Sequence, residues 1–294
     1  MDNAIQNYVD YLHNVKQVSH NTEVSYHQDL KMAAGYLEGM DVKDPLDATA
    51  TNLNSYMLYL EKEGFSPATV SRKVAALRSF YRYMLEIKEI EVDPTTELKP
   101  PKVEKRAPNV LSVDEVDKLL SQPDTTTMKG LRDKAMLELL YATGIRVSEL
   151  INLQLSDVDI KRSFLICREK NKERWIPFGE TTKQALTLYL KHARPVLLKG
   201  NENEFLFTNC SGKPMSRQGF WKVLKGYAAE IGITGEITPH TLRHSFAAHL
   251  VQNGADLKSV QEMLGHSDIS TTAMYVNLNM NKLRHVYNNT HPRR

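Results

Sequence analysis

The sequence predicts a mainly α chain of two domains, the second carrying one small antiparallel sheet. Three observations predict it. Apolar residues recur at helical spacing through most of the 294 residues, and only the stretch 158–178 alternates as strands do. A break rich in proline and lysine interrupts the helical pattern near residue 100. The charge also changes there: residues 1–100 hold 10 Lys and Arg against 15 Asp and Glu, and residues 101–294 hold 28 against 20. A basic second part suits a polyanionic partner, and a solvated charged surface is the other reading of the same asymmetry.

Composition narrows the function classes. An apolar fraction of 41% with 25% charged residues is the profile of a soluble globular protein. No run approaches the roughly 18 consecutive apolar residues that a membrane span needs. The acidic, polar start from Met1 to Asp10 does not read as a secretory signal. Two cysteines, Cys167 and Cys210, with no paired spacing argue against a disulfide framework or a cysteine zinc site, so a reducing cytoplasm is the expected setting.

The first ~90 residues read as four helices. Asn21, Thr22 and Glu23 precede an apolar face of Val24, Tyr26, Leu30, Ala33, Ala34 and Leu37, with Gly39 as the stop. Thr51 and Asn52 open a run through Leu60 that ends at Gly64. Ser66 and Pro67 start another, carrying Val70, Val74, Leu77, Tyr81 and Leu85; a Ser oxygen at the cap satisfies a free backbone N–H, and Pro fits the first turn. Asp93-Pro94 ends the helical region, and the segment from Leu98 to Pro108 holds three prolines, four basic residues and little for a core, which predicts an extended linker. The expected division is therefore 1–98, linker 99–108, and 109–294.

Beyond the linker, Ser112 and Glu115 form a capping box for a short helix. A longer helix spans about Lys129 to Tyr141 and is closed by Gly144. Phe164 to Ile166 and Trp175 to Ile176 read as a β-hairpin whose charged turn runs from Arg168 to Arg174. Helices are expected again at about 180–194, 216–231, 241–253, 256–264 and 270–286.

Four places hold polar residues that a plain core does not require. Arg146 follows the Gly144 turn and starts a helix; it reads either as a surface arginine paired with Glu149 at i+3 or as an anion ligand fixed by a sharp turn. Thr238 caps and Pro239 opens a helix on which His240, Arg243 and His244 fall at i, i+3 and i+4, near the N-terminus where free N–H groups favour an anion. A metal held by His240 and His244 is the competing reading, but no Glu stands as in a HExxH helix and no third ligand is evident. His249 reads as structural. Gly265 ends a helix, His266 lies in the turn, and the next helix carries Tyr275, either a packing residue or a nucleophile whose phenol is activated by nearby cations and a base. The hairpin turn offers Lys170 and Lys172, which are either solvated or able to protonate a leaving oxygen.

Taken in order, Arg146, a hairpin lysine, His240 with Arg243, His266 and Tyr275 resemble the tyrosine recombinase (phage integrase) family. The stretches 131–150, 239–247 and 264–267, together with Asn21, Thr22, Tyr26, Asp29 and Leu30, are similar to its Xer branch, and the likeness covers essentially the whole chain. The resemblance implies an N-terminal, SAM-like core-binding domain of four helices and an α-rich catalytic domain, which together clamp duplex DNA. It implies that Arg146 and Arg243 hold the scissile phosphate, that His240 and His266 hydrogen-bond it, and that Tyr275 forms a 3′-phosphotyrosyl link without metal, ATP or another cofactor. Strand exchange would then pass through a Holliday junction in a tetramer of this chain, alone or with a paralogue, its C-terminal tail packing on a neighbouring protomer. Chromosome dimer resolution, with a DNA translocase as regulator, is the implied role; a mobile-element integrase or a topoisomerase-like nicking and resealing enzyme are the alternatives. One departure stands out: Xer-type hairpins carry Gly-Lys-Gly where this chain reads Arg168, Glu169, Lys170, so Lys170 is taken as the general acid with Lys172 as the alternative. The helix after Ser66 concentrates Arg72, Lys73, Arg78 and Arg82, which makes Ser66, Thr69, Arg72 and Arg78, with Lys172 of the hairpin, the expected DNA contacts despite the acidic total of the first domain.

Overall fold

The computed structural model describes residues 2–102, 108–169, 172–233, 235 and 237–265. The chain separates into two compact units, Met1–Arg106 and Ala107–Arg294.

The first unit is a helical bundle of α1 (Asp2–Asn14), α2 (His20–Glu38), α3 (Ala50–Lys62) and α4 (Pro67–Glu86). Ser66 caps α4 as expected, its Oγ accepting the Thr69 N–H at 3.3 Å. Two starts lie earlier than expected. The cap of α2 is Ser19 and that of α3 is Thr49, because each hydroxyl reaches an N–H three residues on (Thr22 and Asn52) and so draws another turn into the helix. Leu30, Leu37, Leu53, Leu60, Val74 and Phe80 fill the core. The Tyr8 ring meets Phe80 edge to face at 5.5 Å, an arrangement that puts a positive ring edge on a negative ring face.

Leu98, the last residue of the expected first domain, is 1% exposed and belongs to this core. Its carbonyl accepts from Arg78 Nη2 at 2.5 Å, and Pro101 O accepts from Ser71 Oγ at 3.1 Å. The segment through Pro101 is therefore packed on α4, since burying a leucine outweighs the freedom lost in ordering a few residues already stiffened by proline.

The second unit contains α5 (Val113–Ser121), α6 (Met128–Thr143), α7 (Val147–Asn152), the sheet, α8 (Glu180–Leu188), α9 (Arg194–Leu198), α10 (Arg217–Glu230), α11 (Pro239–Gln252) and α12 (Leu257–Leu264). The capping box of Ser112 and Glu115 is present. Helix α6 is the hub: Ala135, Met136, Leu137, Leu139 and Leu140 are all fully buried, and Arg132, Asp133 and Glu138 are buried with them, so the helix is enclosed on most of its sides. Between α8 and α9, residues Tyr189–Ala193 form a π turn, with Pro195, which has no N–H to donate, just beyond it. A satellite core of Phe246, Ala247, Ala248, Val251, Val260 and Leu264 joins α11 to α12.

The sheet has three antiparallel strands in order, β1 (Val158–Asp159), β2 (Phe164–Glu169) and β3 (Lys172–Pro177), with Leu165 opposite Ile176 and Glu169 opposite Lys172. The strands continue through most of the stretch read as a charged turn. Arg168 faces Glu173 across the ladder with Nε–Oε1 at 3.2 Å and also pairs with Asp157, so opposite charges extend the hairpin rather than splaying it. Among the described residues, no helix is long and apolar enough to cross a membrane.

Candidate active site

Arg146 owes its place to a helix stop. Helix α6 ends at Gly144 (φ 59°), whose N–H returns to Leu140 O. Ile145 is fully buried and pins the turn, leaving Arg146 in an extended conformation as the cap of α7. Glu149 then accepts the Arg146 backbone N–H at 2.5 Å and its Nη1 at 3.2 Å. The i+3 pairing foreseen from sequence is real, and it serves to orient a half-buried guanidinium. The other end of that guanidinium, Nη2, donates to Gly265 O at 3.0 Å.

Arg243 comes from α11, whose first turn is set by Pro239 and by the Thr238 N–H donating to Thr241 Oγ1 at 3.0 Å. It is 5% exposed. Its Nη1 donates to Gly144 O at 2.5 Å and its Nη2 to Leu264 O at 2.6 Å. Arg146 and Arg243 thus converge on the same two turns, 144–146 and 264–265. His240, one turn before Arg243 on α11, is exposed at the rim. Partial burial, then the positive charges of Arg243, Arg217 and Arg146, hold its pKa below the ordinary imidazole value. His244 is lowered for like reasons: burial first, then His240 and Arg243. Both imidazoles are therefore neutral at pH 7, able to accept a proton as well as to donate one. The two rings lie 6.4 Å apart between centroids, and among the described residues no group of three or more His, Cys, Asp or Glu could hold a metal ion. His249 is buried, with Nδ1 on Tyr141 Oη at 2.8 Å and Nε2 on Leu111 O at 2.9 Å, a structural placement.

The remaining expected site residues are not all in view. Lys170, His266 and Tyr275 lie outside the described residues, as do the side chain of Lys172, the helix expected at 270–286 and the tail. What is described is the frame that leads to them: β2 and β3 flank Lys170, and Gly265 immediately precedes His266.

Two further arginines lie against the site without being singled out by the sequence. Arg174 was counted within the charged turn, but on β3 it shares a face with Ile176, which is fully buried, so it is directed toward the body of the unit. Its Nη2 meets Glu149 Oε1 and Oε2 at 2.8 and 2.9 Å, and its Nε donates to Met263 O at 3.0 Å. Counting strand positions back from Ile176 was the signal that could have found it. Arg217, exposed at the start of α10, was likewise missed, and only the fold brings its charge to bear on His240.

In the first unit the basic cluster on α4 divides. Lys73 is 5% exposed and pairs with Asp29 at 2.9 Å, so it faces inward. Arg72 also pairs with Asp29 but keeps 44% of its side chain exposed. Arg78 donates to Leu98 O, Arg82 is exposed, and the hydroxyls of Ser66 and Thr69 lie 2.9 Å apart at the start of the helix.

Comparison with known proteins agrees with this architecture. The profile of the phage integrase family matches residues 109–282, and that of the phage integrase N-terminal SAM-like domain matches residues 5–88. Proteins named tyrosine recombinase XerD from Listeria innocua and Staphylococcus epidermidis are 45% identical over 296 residues and 43% over 294, with the whole of both chains covered in each case. Among solved structures, the XerA recombinase is 27% identical with a TM-score of 0.55, covering 100% of this chain and 99% of that one. A XerH post-cleavage complex on a palindromic difH substrate has the same fold at 19% identity and a TM-score of 0.74, covering 96% and 94%.

Proposed function

The chain belongs to the phage integrase family and is a tyrosine site-specific recombinase; from that premise we propose that it cleaves and rejoins duplex DNA through a covalent link to Tyr275. The observation that carries this reading is the convergence of the Arg146 and Arg243 guanidinia at residues 264–265, one residue before His266. Two planar forks at one point suit the non-bridging oxygens of a phosphodiester, and their fixed placement favours the charge that builds up as phosphorus becomes five-coordinate.

In the proposed step the Tyr275 hydroxyl oxygen attacks phosphorus, a P–O bond to tyrosine forms, and the P–O5′ bond breaks. The phenolic proton passes to His240, which partial burial, and after it the surrounding arginines, keep neutral and so able to accept it. Lys170, or Lys172 in its stead, gives a proton to the departing 5′ oxygen. His266 hydrogen-bonds the phosphate. The phosphotyrosyl ester retains the energy of the broken bond, so a 5′-hydroxyl from a partner strand can attack it and release Tyr275 without nucleotide hydrolysis. Residues 1–106, with Ser66, Thr69, Arg72 and Arg78 on α4, would hold the duplex together with residues 107–294.

Full-length likeness to XerD-named proteins at 42–45% identity supports the reading that the chain resolves chromosome dimers in the cytoplasm, with a mobile-element role as the alternative. The active assembly is then a tetramer on a specific site, formed with itself or a paralogue. The test is a nicked suicide duplex bearing the cognate site, incubated with protein and chelator and run on a denaturing gel. A protein–DNA adduct that disappears in Tyr275→Phe is expected. No adduct from the wild-type chain would sink the mechanism.

A further inference from the structure

Three consecutive carbonyls close α12, and each accepts from a different arginine. Met263 O takes Arg174, Leu264 O takes Arg243 and Gly265 O takes Arg146, at 3.0, 2.6 and 3.0 Å. The last carbonyls of a helix have no partners of their own and form the negative end of its dipole, so three guanidinia there both satisfy hydrogen bonds and neutralise charge. Two of the three are the proposed phosphate ligands. The third, Arg174, comes from the hairpin and is joined to Arg146 through the carboxylate of Glu149. The fit is close: a Cβ on Gly265 (φ 63°) would stand 2.7 Å from Arg174 Nη1.

We propose that Arg174 is a positioning residue for strand cleavage. It ties the hairpin that bears Lys170, the Arg146 guanidinium and the turn that leads to His266 into one piece. It touches no substrate in this role. It sets where three proposed catalytic groups stand relative to each other, and it rests on the reading of Tyr275 as nucleophile. Lysine cannot replace it, because a single ammonium lacks the planar fork that spans a carboxylate and a carbonyl together.

The test uses the full chain, with Arg174→Lys, Glu149→Gln and the double variant. In the DNA-free protein, amide exchange at Leu264 and Gly265 is expected to quicken about tenfold or more in Arg174→Lys, while exchange in α6 stays unchanged. On the nicked duplex that the wild type cleaves, the single-turnover adduct rate should fall on the order of 10- to 100-fold with DNA affinity within about threefold. The double variant should be no slower than the worse single one, since both changes break the same tie. Unchanged exchange at the end of α12, a cleavage loss that merely follows affinity, or fully multiplicative effects would each overturn the proposal. If the wild type cleaves no duplex, the nucleophile reading fails, and the exchange measurement still decides the role of Arg174. Should Arg174→Lys fail to fold, Glu149→Gln breaks the tie from its other side and is read in the same two ways.

Discussion

Replacing Gly144 with alanine should damage the second unit severely, and the size of the effect can be worked from its surroundings. The residue has φ 59°, where an added Cβ costs about 1–2 kcal/mol through its clash with the local backbone. That Cβ would also lie 2.3 Å from Phe246 Cδ1, 2.7 Å from Cε1 and 3.0 Å from Leu264 Cδ2. Both neighbours belong to the core between α11 and α12, and forcing a methyl into such a core costs about 1–3 kcal/mol. The sum is a loss of about 2–5 kcal/mol. The chain has two tryptophans, Trp175 and Trp221, and both lie in 107–294, so their fluorescence during urea unfolding follows that unit alone. A second consequence separates function from stability. Phe246 sits three residues beyond Arg243 on α11, and Gly144 O is itself a partner of Arg243. Displacing the ring therefore moves a proposed phosphate ligand, and adduct formation should fall even where the variant remains folded. A change in unfolding free energy below about 0.5 kcal/mol, the range of ordinary surface substitutions, would refute this reasoning.

Other outcomes follow from the same contacts. Arg217→Gln removes one of the charges that lower the His240 pKa, so NMR titration should show that pKa rising; no movement would show that Arg217 does not act there. Because His240 and His244 both titrate below the ordinary value of about 6.5, the unfolded chain takes up protons that the folded one refuses as pH falls. Stability of the second unit should therefore decline from pH 7 toward 5, levelling once the folded values are passed, and urea midpoints that do not fall over this range would contradict it. Asp29→Asn leaves the buried Lys73 ammonium without its counter-charge and should cost the first unit about 3–5 kcal/mol, read as lost exchange protection in α2 and α4. Arg72→Glu with Arg78→Glu should weaken DNA binding and flatten its salt dependence by about one unit of slope per lost phosphate contact; unchanged affinity would remove α4 from the DNA contacts.

How far the sequence reaches depends on how local the physics is. Ser66 with Pro67, Ser112 with Glu115, and Gly144 mark helix ends through contacts within four residues, and each is legible by eye. The earlier starts at Ser19 and Thr49 were missed because several hydroxyl residues compete at each site, and spacing alone does not rank them. The contact of Pro101 with Ser71 is not legible in the sequence because the two lie 30 residues apart. The pairing of Arg146 with Glu149 was visible at i+3, whereas the carbonyls that receive Arg146 and Arg243 are 119 and 21 residues away from them. Arg174 was hidden for a similar reason: its meaning depends on three elements meeting, and no window of sequence contains all three.

The π turn at Tyr189–Ala193 has a consequence for helical phase. A bond that skips to the fifth residue inserts one position into a run without adding a turn, so everything after it is rotated relative to an uninterrupted helix. The rotation sets Arg194, whose guanidinium donates to Asn203 O and Phe205 O and fastens the loop that follows. Upstream of it, Tyr189 keeps its hydroxyl on Leu206 O at 3.0 Å. Deleting a single residue between them would restore ordinary winding and leave Arg194 close to its present phase, because the π turn holds one residue more than an ordinary turn. The segment is therefore the place in this run where the loss of one residue costs least.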